Sequence, residues 1–256
     1  MSNSRHGDRT VRIRSFGVTF GHGHQPVQHM YEAAEWHKLI YATRGVMSVH
    51  TDRGAWVVPP HRAMWIPAGL PYRLEMSGVV ALRMLYLRPG RASGHGSCSV
   101  VNVTPLLREL IVRTNLIGAL DTDVPVQRRL IGVIHDELKL METVPLQLPT
   151  PQDPRAARFA SLIAADPGAK VPLNKILRRC GVSRRTLERL FHVETGMSLG
   201  HWLRRQKLLH ALRRLAAGEC VETIAWELGY NGASAFIAMF RRELGQTPKR
   251  YLEARS

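Results

Sequence analysis

The chain carries one helical motif twice, and this duplication constrains the fold of its C-terminal half more than any other feature. Six residues of the first copy recur in order in the second, at an offset of 48 residues before a turn and 49 after it. The pairs are Ile176 and Ile224, Gly181 and Gly229, Leu187 and Phe236, Leu190 and Met239, Phe191 and Phe240, and Gly196 and Gly245. Because a loop accepts an inserted residue that packed helices would not, each copy is predicted to be a helix, a turn and a second helix.

The first copy has the residue types that a helix-turn-helix motif needs. Gly181 suits a turn conformation that is costly for other residues, and Ser183 is a candidate N-cap for the second helix. The spacing of Leu187, Leu190 and Phe191 directs one apolar stripe toward a core. The residues predicted to point outward are Arg184, Arg185, Glu188, Arg189 and His192. These side chains are the candidates to enter a DNA groove.

A single helix is predicted between the two copies. Residues 199 to 217 have a helical pattern that ends at Gly218, and a helix of that length spans roughly 28 Å. Such a helix could hold two recognition helices about one DNA turn, roughly 34 Å, apart on one face of a duplex. One chain is therefore expected to reach two adjacent major grooves.

Residues 155 to 254 resemble the AraC/XylS family of bacterial transcription regulators. The resemblance rests on Ala225, Gly229, Tyr230, Ser234, Ala235, Phe236, Phe240, Arg241, Arg242, Gly245, Thr247 and Pro248, in that order and spacing. It implies a sequence-specific regulator that binds double-stranded DNA, is not an enzyme, and contacts RNA polymerase if it activates transcription.

The resemblance also predicts that the two motifs contribute unequally to base recognition. The family's base-facing positions fall on Arg185, Glu188 and Arg189 in the first motif, and Arg184 is assigned to the same set. Arg can bind guanine O6 and N7, and Glu can accept from cytosine N4. The equivalent second-motif positions are the short side chains Ala233, Ser234 and Ala238, of which Ser234 is the polar candidate. Phosphate contacts are assigned to Arg204, Arg205, Arg241 and Arg242.

The charge of the chain is concentrated in the same half. Residues 155 to 256 have 19 Lys and Arg against 8 Asp and Glu, a net charge of +11, whereas residues 1 to 154 have 17 against 12, a net charge of +5. A basic surface alone is often only a solvated face. Joined to a duplicated helix-turn-helix, it predicts a polyanion partner and strongly salt-dependent binding.

Composition favours a cytoplasmic protein. The chain has no opening signal-peptide pattern and no run approaching 18 apolar residues, so neither export nor membrane insertion is predicted. The three cysteines, Cys98, Cys180 and Cys220, have no spacing typical of disulfides or zinc sites. Cys180 is interpreted as a small buried side chain rather than a redox switch.

A proline-rich stretch marks the predicted domain boundary. Its prolines are Pro145, Pro149, Pro151 and Pro154, which favour an extended spacer. The expected organisation is a sensor or dimerisation domain over residues 1–144, a linker over 145–154 and a DNA-binding domain over 155–256, with motifs at about 173–195 and 221–244.

The N-terminal half is predicted to be mainly β. Short β-prone runs between residues 38 and 88 alternate with Gly and Pro turn signals, which favours a sandwich or barrel. Two helices should follow, near residues 105–119 and 124–141. The predicted class is α+β in two domains, with a cupin-like β-barrel or jelly roll before an all-α double helix-turn-helix.

Residues 41–47 and 56–71 resemble the cupin-type sensor domain attached to one branch of these regulators. That branch usually has a His-x-His pair and a later His, but Glu32, Ala34 and Tyr72 stand at those places here. Imidazoles that transition metals favour are thus missing, and no metal or other cofactor is expected. His37 is interpreted as structural. The cluster His22, His24 and His29 could in principle bind a metal, but it lies in a glycine-containing segment.

A metal-free interior could still bind a small organic effector. The candidate aromatic walls are Trp36, Tyr41, Trp65 and Tyr72, although rings of this kind also simply fill a core. Dimerisation is compatible with such a domain, because two half-sites would raise affinity. The sequence is also compatible with two alternatives to a regulator: a cupin-type enzyme fused to a DNA anchor, and a non-specific chromosomal DNA-binding protein.

Overall fold

The computed structural model describes residues 10–21, 35–90, 96–168 and 171–252 and divides the chain into two units. The N-terminal unit contains the residues up to 51 and residues 58–146. The C-terminal unit contains residues 52–57 together with the chain from 147 onward. The predicted two-domain α+β class is confirmed, with a mainly antiparallel β unit before a helical one.

The N-terminal unit is built on an antiparallel sheet whose strands follow the order β7-β1-β5-β2-β4-β6-β8. The strands are β1 (Val11–Phe20), β2 (His37–Thr51), β4 (Arg62–Ile66), β5 (Arg73–Leu87), β6 (Ser99–Asn102), β7 (Ala119–Asp121) and β8 (Thr143–Val144). The two 15-residue strands, β2 and β5, pair along most of their length and form the centre of the sheet.

Two of the predicted short strands are in fact one. The runs 39–42 and 45–49 both lie in β2, whose register against β5 shifts on either side of Arg44. Gly45 stands at this irregularity with φ 75°, and a Cβ there would lie 2.4 Å from the Val79 carbonyl oxygen. The glycine allows a bulge that lets the strand continue, so the two runs form one strand.

Two helices cover one face of this sheet, close to the predicted positions: α1 (Pro105–Ile117) and α2 (Pro125–Lys139). Both have proline in the first turn, where a missing N–H costs nothing. The Thr104 hydroxyl caps α1 by accepting from the backbone N–H of Leu107 at 3.0 Å. Core residues from both helices pack against alternate strand residues such as Leu39, Leu85 and Val101.

The C-terminal unit contains seven helices among its described residues and a two-stranded ribbon. The helices are α3 (Pro154–Ala165), α4 (Leu173–Cys180), α5 (Arg184–Thr195), α6 (Leu199–Ala216), α7 (Val221–Glu227), α8 (Ala233–Leu244) and α9 (Pro248–Leu252). The ribbon is formed by β3 (Gly54–Val58), which pairs antiparallel with β9 (Gln147–Pro149).

The expected linker, residues 145–154, contains the strand β9, and from Gln147 onward it belongs to the C-terminal unit. The indole Nε1 of Trp202, on α6, donates to the Pro149 carbonyl at 2.9 Å. The Glu194 carboxylate accepts from the backbone N–H groups of Gln152 and Asp153 at 2.8 and 3.1 Å. Proline at the end of a short strand is compatible with such pairing.

Aromatic rings form the centre of the C-terminal unit. Phe191 makes edge-on contacts with Phe159 and Trp202, with ring centroids 5.8 and 5.0 Å apart. All three rings are at most 2% exposed, and full burial of such a ring contributes about 1.5–3 kcal/mol. Cys180 is also buried, and desolvation raises the pKa of its thiol, in line with the interpretation as an unreactive core side chain.

Candidate nucleic-acid interface

The first motif consists of α4, a tight turn and α5. Gly181 ends α4 in the left-handed conformation, at φ 62° and ψ 36°, which favours glycine. The hydroxyl of Ser183 accepts from the Thr186 backbone N–H at 3.2 Å, so the predicted N-cap of α5 is confirmed. The apolar stripe of Leu187 and Phe191 is fully buried. This packing fixes which side of α5 faces solvent.

The outer face of α5 carries all five polar residues that were predicted to point outward, and all five are exposed. Arg184 and Glu188 form a salt bridge of 2.9 Å along the helix. Within the described part of the chain, Arg185 and Arg189 have no acidic partner. The face therefore presents two uncommitted guanidinium groups and one carboxylate already bonded to a neighbouring cation.

The second motif consists of α7 and α8 and presents a different outer face. Its turn contains Gly229 at φ 75° and Gly232 at φ 152°, and α8 has no side-chain N-cap. Ser234 and Ala238 are exposed on α8, whereas Ala233 is only partly exposed. None of these three side chains is charged, so this face has little reach toward base edges.

An open surface depression of about 620 Å³ brings together most of the second-motif residues assigned to DNA. Its lining residues are Ser234, Ile237, Ala238, Arg241, Arg242 and Thr247. The guanidinium of Arg242 lies 3.7 Å from the Glu243 carboxylate, and Arg241 has no ion pair among the described residues. The depression thus combines a short apolar floor with two exposed cations.

The two arginines of α6 that were assigned to phosphate differ in their surroundings. Arg204 is exposed and lies 4.0 Å from the Glu243 carboxylate. Arg205 is half-buried, and its guanidinium donates to the Gln147 carbonyl at 3.5 Å. Burial lowers the pKa of Arg205. Arg204 is therefore placed to meet an anion, while Arg205 bonds to the β9 strand.

Contacts between α6 and α7 set the position of the second motif. The Lys207 ammonium donates to the Leu228 carbonyl at the end of α7, at 2.7 Å. The Arg214 guanidinium pairs with Glu219 and with Glu227, the latter at 2.7 Å. Hydrogen bonds to both carboxylates raise the pKa of Arg214, with the Glu219 bond the larger cause. These bonds join the second motif to the helix that follows the first.

The four residues proposed as effector-pocket walls do not share one site. Tyr41 and Trp65 belong to the core on the helix-covered face of the sheet and are at most 1% exposed. Trp36 and Tyr72 are also buried but lie near Lys38, whose ammonium is 3.3 Å from the Trp36 carbonyl and 5.6 Å from the Tyr72 ring centroid. Lys38 itself was not singled out by the sequence.

The residues considered as metal ligands fall mostly outside the described part of the chain. This applies to Glu32 and Ala34 and to the cluster His22, His24 and His29. The described residues contain no group of three His, Cys, Asp or Glu side chains that could hold a metal ion. The Nδ1 atom of His37 accepts from the Ala68 backbone N–H at 3.0 Å, which gives this histidine a structural contact. Among the described helices, none is long and apolar enough to cross a membrane.

Two family models match the chain. A helix-turn-helix domain matches residues 176–254, and an AraC-like ligand binding domain matches residues 15–114. The first match covers the second helix-turn-helix motif and most of the first. The second covers most of the sheet and most of α1.

Several known proteins are similar to the chain. The HTH-type transcriptional regulator NimR of Escherichia coli K12 is 33% identical over 215 residues, which is 84% of this chain and 79% of NimR. The HTH-type transcriptional activator RhaR of Yersinia pseudotuberculosis is 35% identical over 85 residues, 33% of this chain and 29% of RhaR. Among solved structures, ToxT of Vibrio cholerae matches 94% of this chain and 98% of its own, at 10% identity and a TM-score of 0.38.

Proposed function

This chain belongs to the AraC-type family of helix-turn-helix transcriptional regulators, and we propose that its first motif reads DNA bases while its second motif anchors it on phosphate. As a family member it is a DNA-binding regulator with an AraC-like ligand-binding domain. The observation that carries the proposal is the contrast between the outer faces of α5 and α8.

Three groups on α5 supply the base contacts. Arg185 and Arg189 are exposed and uncommitted among the described residues, so each can bind guanine O6 and N7. Glu188 accepts from cytosine N4 once its contact with Arg184 opens. Arg184 then turns to a flanking base or phosphate. Each bidentate pair discriminates against the wrong base by about 1–3 kcal/mol.

Phosphate contacts come mainly from the second motif and α6. Arg241 and Arg242 line the depression on α8. Arg204 is exposed, and its guanidinium lies 4.0 Å from the Glu243 carboxylate. Ser234 reaches a base edge or sugar only at close approach. Arg205 contributes less than its neighbour because its guanidinium bonds to the Gln147 carbonyl.

Residues 1–144 form the sensor and dimerisation domain in this proposal. A second copy would dock on α2, where Val126, Val133 and the C-cap residue Leu140 are exposed at heptad spacing. Those three side chains are 66%, 43% and 72% exposed, which is costly for an apolar stripe left in water. A dimer presents four motifs and gains affinity through effective concentration.

The DNA partner determines the compartment in which the protein acts. A bacterial regulator meets double-stranded DNA in the cytoplasm, and Cys98, Cys180 and Cys220 form no disulfide, as a reducing compartment favours. If the protein activates transcription, RNA polymerase is its further partner. The relatives are named as transcriptional regulators, which supports a protein that is not an enzyme.

Competition on genomic DNA tests the proposal against a non-specific packaging protein. Full-length chain is mixed with sheared genomic fragments and excess non-specific duplex at near-physiological salt, and bound fragments are sequenced. A regulator recovers few loci with a shared sequence. Uniform recovery of all fragments would support the packaging function instead.

A further inference from the structure

Lys38 is a buried cation on the face of the sheet opposite the helices. Its strand neighbours Leu39 and Tyr41 face the helix-covered core, so alternation places Lys38 with Ile40 on the other face. The side chain is only 2% exposed. Lysine is almost never fully buried unless its charge is paired. The groups around Lys38 therefore show whether its burial is structural or serves a ligand.

The described residues around Lys38 satisfy only part of the hydrogen-bonding capacity of its ammonium group. Of its three N–H donors, one meets the Trp36 carbonyl at 3.3 Å, and the Tyr72 ring lies 5.6 Å away. No carboxylate of the described residues pairs with it. Burial lowers the pKa of Lys38 by more than the nearby Cys98 thiol raises it, so the described surroundings compensate the buried charge only in part.

A second polar group in the same place has no hydrogen-bond partner among the described residues. The hydroxyl of Tyr72 is buried and unsatisfied, and Tyr72 as a whole is 9% exposed. Burial also raises the pKa of Tyr72, so the hydroxyl keeps its proton and remains a donor. A buried donor left without an acceptor is costly and calls for an explanation.

Two further cations lie against the Trp36 ring. The guanidinium carbons of Arg14 and Arg88 lie 5.1 and 5.0 Å from the centroid of the Trp36 ring. Sheet register places Arg14 and Lys38 in one row, because each is paired with Tyr86. Trp36, Lys38, Tyr72, Arg14 and Arg88 are called the Lys38 cluster below.

We propose that the Lys38 cluster binds the carboxylate of a small organic acid, with the Lys38 ammonium and the Tyr72 hydroxyl as donors. This inference rests on the proposed function, since it names the chemical class of effector that the N-terminal unit senses. A carboxylate supplies the two features that the described surroundings lack: a negative charge for the ammonium and an acceptor for the hydroxyl. The Trp36 and Tyr72 rings offer apolar surface to the body of the ligand.

Calorimetric titration of the full-length chain tests this with phenylacetate and hexanoate, each compared with its neutral amide. At least one acid should bind saturably, and its amide should bind at least tenfold more weakly, because a charge-assisted hydrogen bond is lost. Lys38→Met should weaken acid binding at least tenfold, and Tyr72→Phe should weaken it several-fold. The matched control is Lys139→Met, which removes an exposed lysine paired with Asp136 and should leave binding unchanged.

Thermal unfolding adds a readout that needs no ligand. If Lys38 is kept for binding, Lys38→Met should raise the midpoint of the ligand-free chain, because it removes a buried charge. A lowered midpoint would indicate a purely structural lysine. Equal affinity for acid and amide, unaltered binding by Lys38→Met, or no saturable binding of either acid would each overturn the proposal.

Binding to a selected DNA duplex separates this inference from the proposed function. A chain that binds DNA specifically but neither acid loses only the carboxylate site. A chain that binds the acid but no specific duplex keeps the site and loses the regulator mechanism. The Lys38→Met variant should bind DNA as the wild type does when no acid is present, and this also shows that it is folded.

Discussion

The guanidinium group of Arg184 donates to the carboxylate of Glu188 at 2.9 Å, one turn further along α5. Both side chains are well exposed, and exposed pairs at this helical spacing contribute only about 0.3–0.5 kcal/mol. The pair therefore orients Glu188 in the free chain without adding much stability. DNA can open it at little cost, which leaves the carboxylate available to a base.

Replacing Glu188 with Gln should change base preference rather than stability. Glu accepts from cytosine N4, whereas Gln binds adenine N6 and N7. We expect Glu188→Gln to shift the preference at one base pair from cytosine to adenine, measured by competition among duplexes that differ at each position. The free energy of unfolding should change by less than about 0.5 kcal/mol. An unchanged preference at every position would remove Glu188 from the base-reading set.

Truncation of Arg189 and truncation of Arg241 should weaken DNA binding in different ways. Arg189→Ala should cost about 1–3 kcal/mol on the preferred duplex and relax specificity at one position. Arg241→Ala should weaken binding to all duplexes alike and reduce the salt slope by about 1. Fluorescence anisotropy across a salt series measures both, with the exposed Arg113→Ala on α1 as the control that leaves DNA binding unchanged. The same pattern of loss in both variants would contradict the division between the motifs.

Trp202 ties α6 to the β9 strand through one hydrogen bond. Trp202→Phe keeps a ring against Phe191 but removes the donor to the Pro149 carbonyl. The C-terminal unit should lose about 1 kcal/mol plus a packing cost in urea unfolding. Trp226→Phe is the matched control, because that indole is 70% exposed and should change stability by less than about 0.5 kcal/mol. Equal effects of the two substitutions would argue against a contribution from the β9 contact.

Gly168 packs against the end of the first helix of the second motif. A Cβ at this position would lie 1.9 Å from the backbone carbonyl oxygen of Glu227, so the backbone itself must move. Gly168→Ala should cost about 1–3 kcal/mol of unfolding free energy. Gly200→Ala in α6 is the control, since its nearest contact is the flexible Arg204 guanidinium at 3.5 Å. We expect Gly200→Ala to be neutral or slightly stabilising. If Gly168→Ala were tolerated while Gly200→Ala destabilised the chain, the close approach of Gly168 to the Glu227 carbonyl would be refuted.

Stability should fall as the pH drops below neutrality. Desolvation, followed by the charge of Lys38, lowers the pKa of His37. The unfolded state, whose histidine pKa is about 6.5, then binds more protons than the folded state. The contribution of His37 is complete above that value and is lost as the pH falls through it toward the folded pKa. Urea unfolding at pH 7.5 and 5.5 should show this loss, and His37→Gln should make it smaller.

Burial also lowers the pKa values of His61 and His135, so the His37→Gln variant should keep part of the pH dependence. An identical loss of stability in the variant and the wild type would mean that His37 does not contribute.

Local sequence signals located the helical unit well. The cap at Ser183 and the stripe of Leu187, Leu190 and Phe191 depend on neighbouring residues, so their spacing predicts both the helix and its buried side. Tertiary contacts explain what the sequence did not predict. Gly45 allows a bulge inside one long strand, and β9 forms in a proline-rich stretch because β3 offers it a partner.

Tertiary contacts also explain why only part of the site could be predicted from the sequence. Exposure of the α5 side chains follows from helical periodicity, whereas the bond of Arg205 to Gln147 depends on a residue 58 positions away. The burial of Lys38 cannot be predicted from the sequence, because a lysine in a strand is ordinarily exposed and only the packed sheet covers this one. Tyr41 and Trp65 could not be separated from Trp36 and Tyr72 without the strand register.

Selection from random double-stranded DNA tests most directly whether the first motif reads bases while the second motif anchors the chain on phosphate. Purified full-length chain is used at low and near-physiological salt, and the enriched sequences are aligned. We predict a shared sequence whose information lies mainly in the half-site bound by Arg185, Glu188 and Arg189. Enrichment of no sequence, or information concentrated in the half-site of the second motif, would contradict the account.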